Sequence, residues 1–212
     1  MESIVIANPH RLPADFVYLD EAVPGVLWDA KYATDDNFTG APVPGYAANR
    51  VACSDEIAQA LLRARDEAAR QGYKLLIWDA ARPQRAVDAF VRWGEAEEDF
   101  RTKARHYPGI EKAQMFELGY IAKRSGHTRG CAVDLTLIGP DGAALDMGGG
   151  FDLMDERSHH GCADLTAAQK GNRERLCDLM TGLGLLPYES EWWHYSLAQE
   201  PYPHTYFDFV IE

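Results

Sequence analysis

From Ser54 to Gly72 the chain alternates apolar and charged positions with a helical period, Ile57, Leu61 and Leu62 recurring along one side. Ser54 can accept a hydrogen bond from the first free backbone N–H groups, Asp55 and Glu56 suit the positive end, and Gly72 supplies a stop. The pattern then becomes a continuous apolar run, KLLIW, which predicts a buried strand over Lys74–Trp78. A second helix is expected from Pro83 to about Trp93, with Pro83 as the first helical residue because its missing N–H has no partner there anyway. Arg82, preceding that proline, is expected to be extended and held at the loop end of the strand. A third helix starts at Thr166, where TAAQ forms a capping box with Gln169, and runs past Leu176, Leu179 and Met180 to Gly182.

The later half changes period. In SGHTRGCAVDLTL, residues Ser125 to Leu137, the run AVDLTL alternates strictly: Ala132, Asp134 and Thr136 on one face, Val133, Leu135 and Leu137 on the other. The second set belongs in the core, so Asp134 is expected to face a groove between small neighbours. A Pro-Asp-Gly turn at Pro140–Gly142, a glycine run at Gly148–Gly150 and the ring-rich segment EWWHYSL complete the pattern. Early helices and late strands with a turn-linked pair predict an α+β fold, a mostly antiparallel sheet flanked by helices. With no repeat, linker or low-complexity tract, residues 1–212 read as a single domain.

Composition narrows the function. A formal net charge of -12 repels nucleic-acid backbones and anionic membrane surfaces. The opening thirty residues carry no basic-then-apolar export signal, and no apolar run approaches bilayer length, so a soluble, cytoplasmic protein is expected. Cys53, Cys131, Cys162 and Cys177 lack CxxC spacing and read as buried reduced thiols. Oligomeric state is not legible, and a homodimer is compatible with the sequence.

Two short stretches carry chemistry. His127 sits among glycines that let the backbone turn its ring back toward Asp134, and ESEWWHYSL places Glu191 and His194 among rings that exclude water. Two histidines, one aspartate and one spare glutamate are the inventory of a catalytic zinc site: three ligands, an open position and a carboxylate base outside the ligand set. Two neutral imidazoles and one carboxylate leave about one positive charge on Zn²⁺. Residues three apart on a regular strand face opposite sides, so Glu191 must precede the strand or sit on a bulge, with 187–190 as an irregular approach. His159 and His160 read as loop residues, His10, His106 and His204 as surface, and Trp192 and Trp193 as core on one side and site wall on the other.

HTRGCAVD and EWWH resemble the paired SxHxxGxAxD and ExxH signatures of the zinc D-alanyl-D-alanine dipeptidases of the VanX type, within the zinc DD-peptidases. Segments 28–40, 78–87, 147–160 and 201–209 are similar to that family in the same order, so the resemblance covers nearly the whole chain. It implies a zinc DD-peptidase, hedgehog-like fold and one Zn²⁺ held by His127, Asp134 and His194. It further implies Glu191 as proton carrier and Arg82 as oxyanion donor; an ion pair with Asp79 is the alternative role for Arg82. Tyr32, Asp152 and Ser125 match substrate-binding positions for a small D,D-dipeptide, whose hydrolysis serves glycopeptide resistance or dipeptide recycling. Where the family usually has an aromatic before Arg-Pro, this chain has Ala81, which predicts a wider pocket wall or a looser Arg82. Two alternatives stay open at this point: a DD-carboxypeptidase acting on longer peptidoglycan stems, and a zinc-binding module without catalysis.

Overall fold

The computed structural model describes residues 5–7, with a side chain only at Ala7, and 11–212. His10 lies outside them. In chain order the strands are β1 (Val5–Ala7), β2 (Phe16–Tyr18), β3 (Leu27–Trp28), β4 (Ala52–Ser54), β5 (Lys74–Asp79), β6 (Ala132–Ile138), β7 (Leu185–Tyr188), β8 (Glu191–Leu197) and β9 (Thr205–Phe207). The long helices are α1 (Asp55–Arg70), α2 (Gln84–Glu95) and α3 (Ala167–Gly182). The main sheet runs β3-β5-β6-β8-β7 and is antiparallel except for the β3–β5 edge; β2–β4 and β1–β9 are small accessory pairs, antiparallel and parallel respectively. The expected α+β class holds.

The helices form where their caps are encoded. Ser54 Oγ accepts from the Ile57 N–H at 3.3 Å, and Gly72, at φ +82°, ends α1 after Arg70. At α3 the capping box closes reciprocally, Thr166 N–H to Gln169 Oε1 at 2.9 Å and Gln169 N–H to Thr166 Oγ1 at 3.3 Å. α2 begins one residue later than expected. Pro83 has helical φ but an extended ψ of 145° and serves as N-cap, because the ring restrains φ alone. Its carbonyl accepts the first helical N–H groups, from Ala86 and Val87.

α1 packs on β4 and β5, α3 on β7 and β8, and the two helices touch each other, so they cover one face of the sheet. Ile57 and Leu61 of α1 and Leu176 and Met180 of α3 are at most 1% exposed, each burial contributing about 1.5–3 kcal/mol. One contiguous core joins them to Trp78, Trp192, Trp193 and Tyr195. Cys53 and Cys131 lie in the interior as expected; Cys162 and Cys177 are only half-buried, and all four are free thiols. No helix among the described residues is long and apolar enough to cross a membrane.

Two features of the sheet were not in the hydrophobic pattern. β6 is buried along its whole length on both faces, so Asp134 lies at the bottom of a pocket and not on an open groove. The 140–142 turn forms, with Gly142 N–H to Gly139 O at 3.0 Å, but only a single bridge, Ile138 to Ala144, follows it. β6 takes its partners from β5 and β8 instead of a turn-linked neighbour.

The loop before β6 depends on one glycine. His127–Arg129 form a 3₁₀ turn closed by Gly130 at φ +70°, and a methyl group there would stand 2.7 Å from Phe16 Cζ. Gly130→Ala is therefore expected to cost ~1–3 kcal/mol through overpacking, with the left-handed backbone adding strain. A thermal unfolding midpoint unchanged from the parent protein would contradict this account of the loop.

Candidate active site and metal centre

The His127 turn, β6 and β8 bring three donors together. His127 Nε2 lies 3.2 Å from Asp134 Oδ2, His194 Nδ1 lies 3.0 Å from Asp134 Oδ1, and the two ring nitrogens are 3.1 Å apart. Asp134 and His194 are directly paired across the β6–β8 ladder, which fixes their relative height. Hydrogen bonds on the far side of each ring set its orientation: His127 Nδ1 donates to the Ala80 carbonyl at 2.7 Å, and His194 Nε2 lies 3.1 Å from Ser196 Oγ. The Ala80 carbonyl can only accept, which leaves a lone pair on His127 Nε2, and the Ser196 hydroxyl can accept from His194 Nε2, the arrangement in which His194 Nδ1 also offers a lone pair.

Atoms about 2.0–2.1 Å from a shared ion at tetrahedral angles stand roughly 3.3 Å from one another. The observed triangle matches that spacing within a few tenths of an ångström. Two imidazole lone pairs and a carboxylate converging in a buried site repel unless a cation or a proton lies between them, so the donor set fits a divalent metal. Burial opposes ionisation of Asp134, but the adjoining His127 and His194 rings hold its carboxyl well below the usual carboxylate range.

Glu191 stands beside the triangle, not in it, with Oε2 3.8 Å from His194 Nδ1. The expected irregularity is present as a bulge: between the pairs Pro187–Tyr195 and Tyr188–Glu191 the register advances one residue on β7 and four on β8. That offset lets the first residue of β8 share a face with His194. Burial pushes the Glu191 carboxyl up to about 7, and Asp134 adds to the shift while His194 and Arg82 oppose it.

The ion pair named as the alternative role of Arg82 is present. Its Nε donates to Asp79 Oδ2 at 2.9 Å, while Nη2 lies 3.4 Å from Asp134 Oδ2. Its guanidinium also sits 5.1 Å from the Tyr32 ring centroid and 5.3 Å from that of Phe90. Asp79 is aimed by a bulge in β5, where Ile77 and Asp79 oppose the consecutive residues Leu135 and Asp134, and its other oxygen accepts from Tyr46 Oη at 2.7 Å. Ala81 is buried, donates its N–H to Ala52 O at 2.8 Å and does not line the cavity. Arg82 beside it is held by Asp79 and Asp134 and flanked by the Tyr32 and Phe90 rings.

These groups share a cavity of about 370 Å³, lined also by Tyr32, Ser125, Asp152 and Trp193. Trp192 is buried behind it, in edge contact with Trp78 at 5.8 Å. Tyr32 Oη donates to Asp152 Oδ2 at 2.9 Å. Burial raises the Asp152 carboxyl well above the usual carboxylate range, against the pull of Arg82 and the Tyr32 hydroxyl. Ser125 Oγ accepts from the His127 N–H at 3.2 Å, so its own proton is available to a ligand. His159 meets Tyr120 Oη at 3.3 Å, and the His160 N–H donates to Glu189 O, both in the loop before α3. His204 is exposed.

The pattern missed His106, which is not a surface residue: it is 2% exposed. Burial holds its imidazole down to about 4, and as a neutral ring it can donate from Nδ1 to the Asp152 carbonyl at 3.2 Å. The Met154 N–H bonds back to His106 O at 2.6 Å. Together these bonds brace Asp152 in a left-handed conformation, φ +56°, unusual for a residue with a side chain. His106→Ala is expected to raise KM several-fold for a ligand with a free amine, with His106→Asn restoring part of the loss. Equal KM values for His106→Ala and the parent protein would show that Asp152 holds its position unaided. Ser196 was also missed, although its place two residues after His194 on one strand face could have flagged it.

A family model described as D-ala-D-ala dipeptidase matches residues 13–212. The chain belongs to the D-alanyl-D-alanine dipeptidase family. Proteins named D-alanyl-D-alanine dipeptidase from Streptomyces coelicolor and Enterococcus faecium are 54% and 50% identical to it over 201 and 198 residues. Those matches cover 94% and 93% of this chain and 100% and 98% of the relatives. A relative of the same name from Escherichia coli is 35% identical over 185 residues, 87% of this chain and 86% of its own length. As a member of this peptidase family the chain is a hydrolase, and its His-Asp-His cluster lies where the dipeptidase signature was read.

Proposed function

We propose that the chain hydrolyses D-alanyl-D-alanine to two D-alanine molecules, with one zinc ion held by His127, Asp134 and His194. The observation that carries this reading is the convergence of those three donors, Glu191 and Arg82 on one cavity in a chain of this family. At about 370 Å³ the cavity lies near the small end of ligand pockets, which suits a dipeptide better than a long peptidoglycan stem. On this reading residues 1–212 act as one catalytic unit on a cytoplasmic cell-wall precursor.

Bound zinc supplies Lewis acidity toward the scissile carbonyl and toward water. Glu191, beside the triangle and raised in pKa by burial, accepts the proton of the attacking water and delivers it to the leaving amine. Arg82, oriented by Asp79 and by two rings, donates to the oxygen that gains negative charge as the carbonyl becomes tetrahedral. Asp152 and the Tyr32 hydroxyl receive the substrate ammonium, and the Ser125 hydroxyl donates to the peptide. The flanking rings keep bulk water from the reacting atoms.

Free alanine release from D-Ala-D-Ala, read beside L-Ala-L-Ala and after chelation, tests the reading. Turnover of the D,D isomer alone, lost on chelation and regained with zinc, is the expected result. Faster turnover of an N-acylated D,D-tripeptide than of the free dipeptide would favour the carboxypeptidase alternative instead.

A further inference from the structure

A dipeptide is a zwitterion, and the residues assigned above leave its carboxylate without a cation. Three cationic side chains line the cavity: Arg82, Arg124 and Arg129. Arg82 is paired with Asp79 and Asp134 and is already assigned to the oxygen of the scissile carbonyl. Arg129 forms a two-pronged pair with Glu200, its Nε at 2.6 Å and Nη2 at 2.7 Å, and a further bond to Tyr206 Oη at 3.2 Å. Arg124 forms no ion pair and no hydrogen bond with any described residue. It is exposed at the cavity and immediately precedes Ser125, at the start of the loop that carries His127.

From this we infer that Arg124 captures the terminal carboxylate of the dipeptide and so selects for a free C-terminus. The inference rests on the dipeptidase reading and deepens it. The guanidinium is planar and offers paired N–H donors that match a carboxylate two-to-two, and no internal partner has to be displaced before the substrate binds. Its position adjoining the metal-binding loop puts the charge within the same wall that holds the scissile bond. Because the carboxylate bears the same charge before and during bond cleavage, Arg124 is a binding residue whose loss falls on KM and not on kcat.

Lys123 provides the control, since it is also exposed and positively charged but does not line the cavity. Steady-state constants would be measured for the zinc-loaded parent protein and for Arg124→Gln, Arg124→Lys and Lys123→Gln. The substrates are D-Ala-D-Ala and its C-terminal amide, which lacks the carboxylate; where the amide turns over too slowly, its Ki against the dipeptide replaces KM. Arg124→Gln is expected to raise KM for the dipeptide about tenfold, the lower end for a hydrogen bond to a charged group, with kcat within about twofold. Its constant for the amide should not move, Arg124→Lys should fall between, and Lys123→Gln should match the parent. An unchanged dipeptide KM in Arg124→Gln, an equal loss on the amide, or an equal loss in Lys123→Gln would overturn the inference while leaving the dipeptidase reading standing. A parent protein that turns over neither D,D substrate would overturn both.

Discussion

Glu191→Ala is expected to lower kcat on D-Ala-D-Ala by at least ~10²-fold while the protein still binds one metal ion per chain. The carboxylate stands 3.8 Å from the nearest donor nitrogen of the triangle, close enough to exchange a proton with water there yet outside the donor set. Removing it takes away the proton carrier and leaves His127, Asp134 and His194 with all their mutual contacts. Glu191→Gln should behave similarly, since the amide keeps the shape but has no useful basicity. Metal analysis alongside turnover separates the two roles: a variant that is inactive because it has lost its metal would make Glu191 a ligand, and a variant with normal turnover would remove it from the mechanism.

Arg82→Ala carries the second large effect, in two measurable parts. Loss of the donor to the developing oxyanion should reduce kcat by ~10²–10³-fold, as removal of an oxyanion donor does elsewhere. Asp79, 1% exposed, would also lose its charged partner and keep the Tyr46 hydroxyl and the His127 ring 3.7 Å away, a change that costs about 3–5 kcal/mol when a buried ion pair is broken from one side. Arg82→Lys preserves the charge but not the fork of donors, so it should recover much of the stability and little of the rate. Thermal unfolding read beside kcat distinguishes these parts; a full recovery of rate by lysine would mean that charge alone matters at this position.

The helices were legible because their signals are local. Ser54, Thr166 with Gln169, and Gly72 act within a few residues of where they stand, and each cap formed as its chemistry dictates. The donor set was legible because strand alternation and glycine spacing constrain His127 and Asp134, and the ring-rich segment ESEWWHYSL offered Glu191 and His194 before a resemblance spanning the chain implied their roles. What escaped was non-local. Whether a strand bulges is decided by its partner, so the offset at Asp79 had no signal in KLLIW, whereas that at Glu191 was foreseeable only because two residues three apart had to share a face. Tyr46 reaches Asp79 from 33 residues away, and His106 reaches Asp152 from 46. A lone histidine in a polar stretch gives no hint that it will brace a left-handed aspartate. β6 was read as half-buried because alternation cannot reveal that Arg82 and His127 close over Asp134 on its polar face.

The most direct test of the account is the position of the metal itself. Crystals grown with zinc and measured at the zinc absorption edge should show a single strong anomalous peak per chain. The account predicts that peak about 2.0–2.2 Å from His127 Nε2, His194 Nδ1 and an Asp134 oxygen, with no fourth protein donor and with Glu191 outside bonding distance. A peak elsewhere, or one coordinated by Glu191 or another side chain in the fourth position, would contradict it.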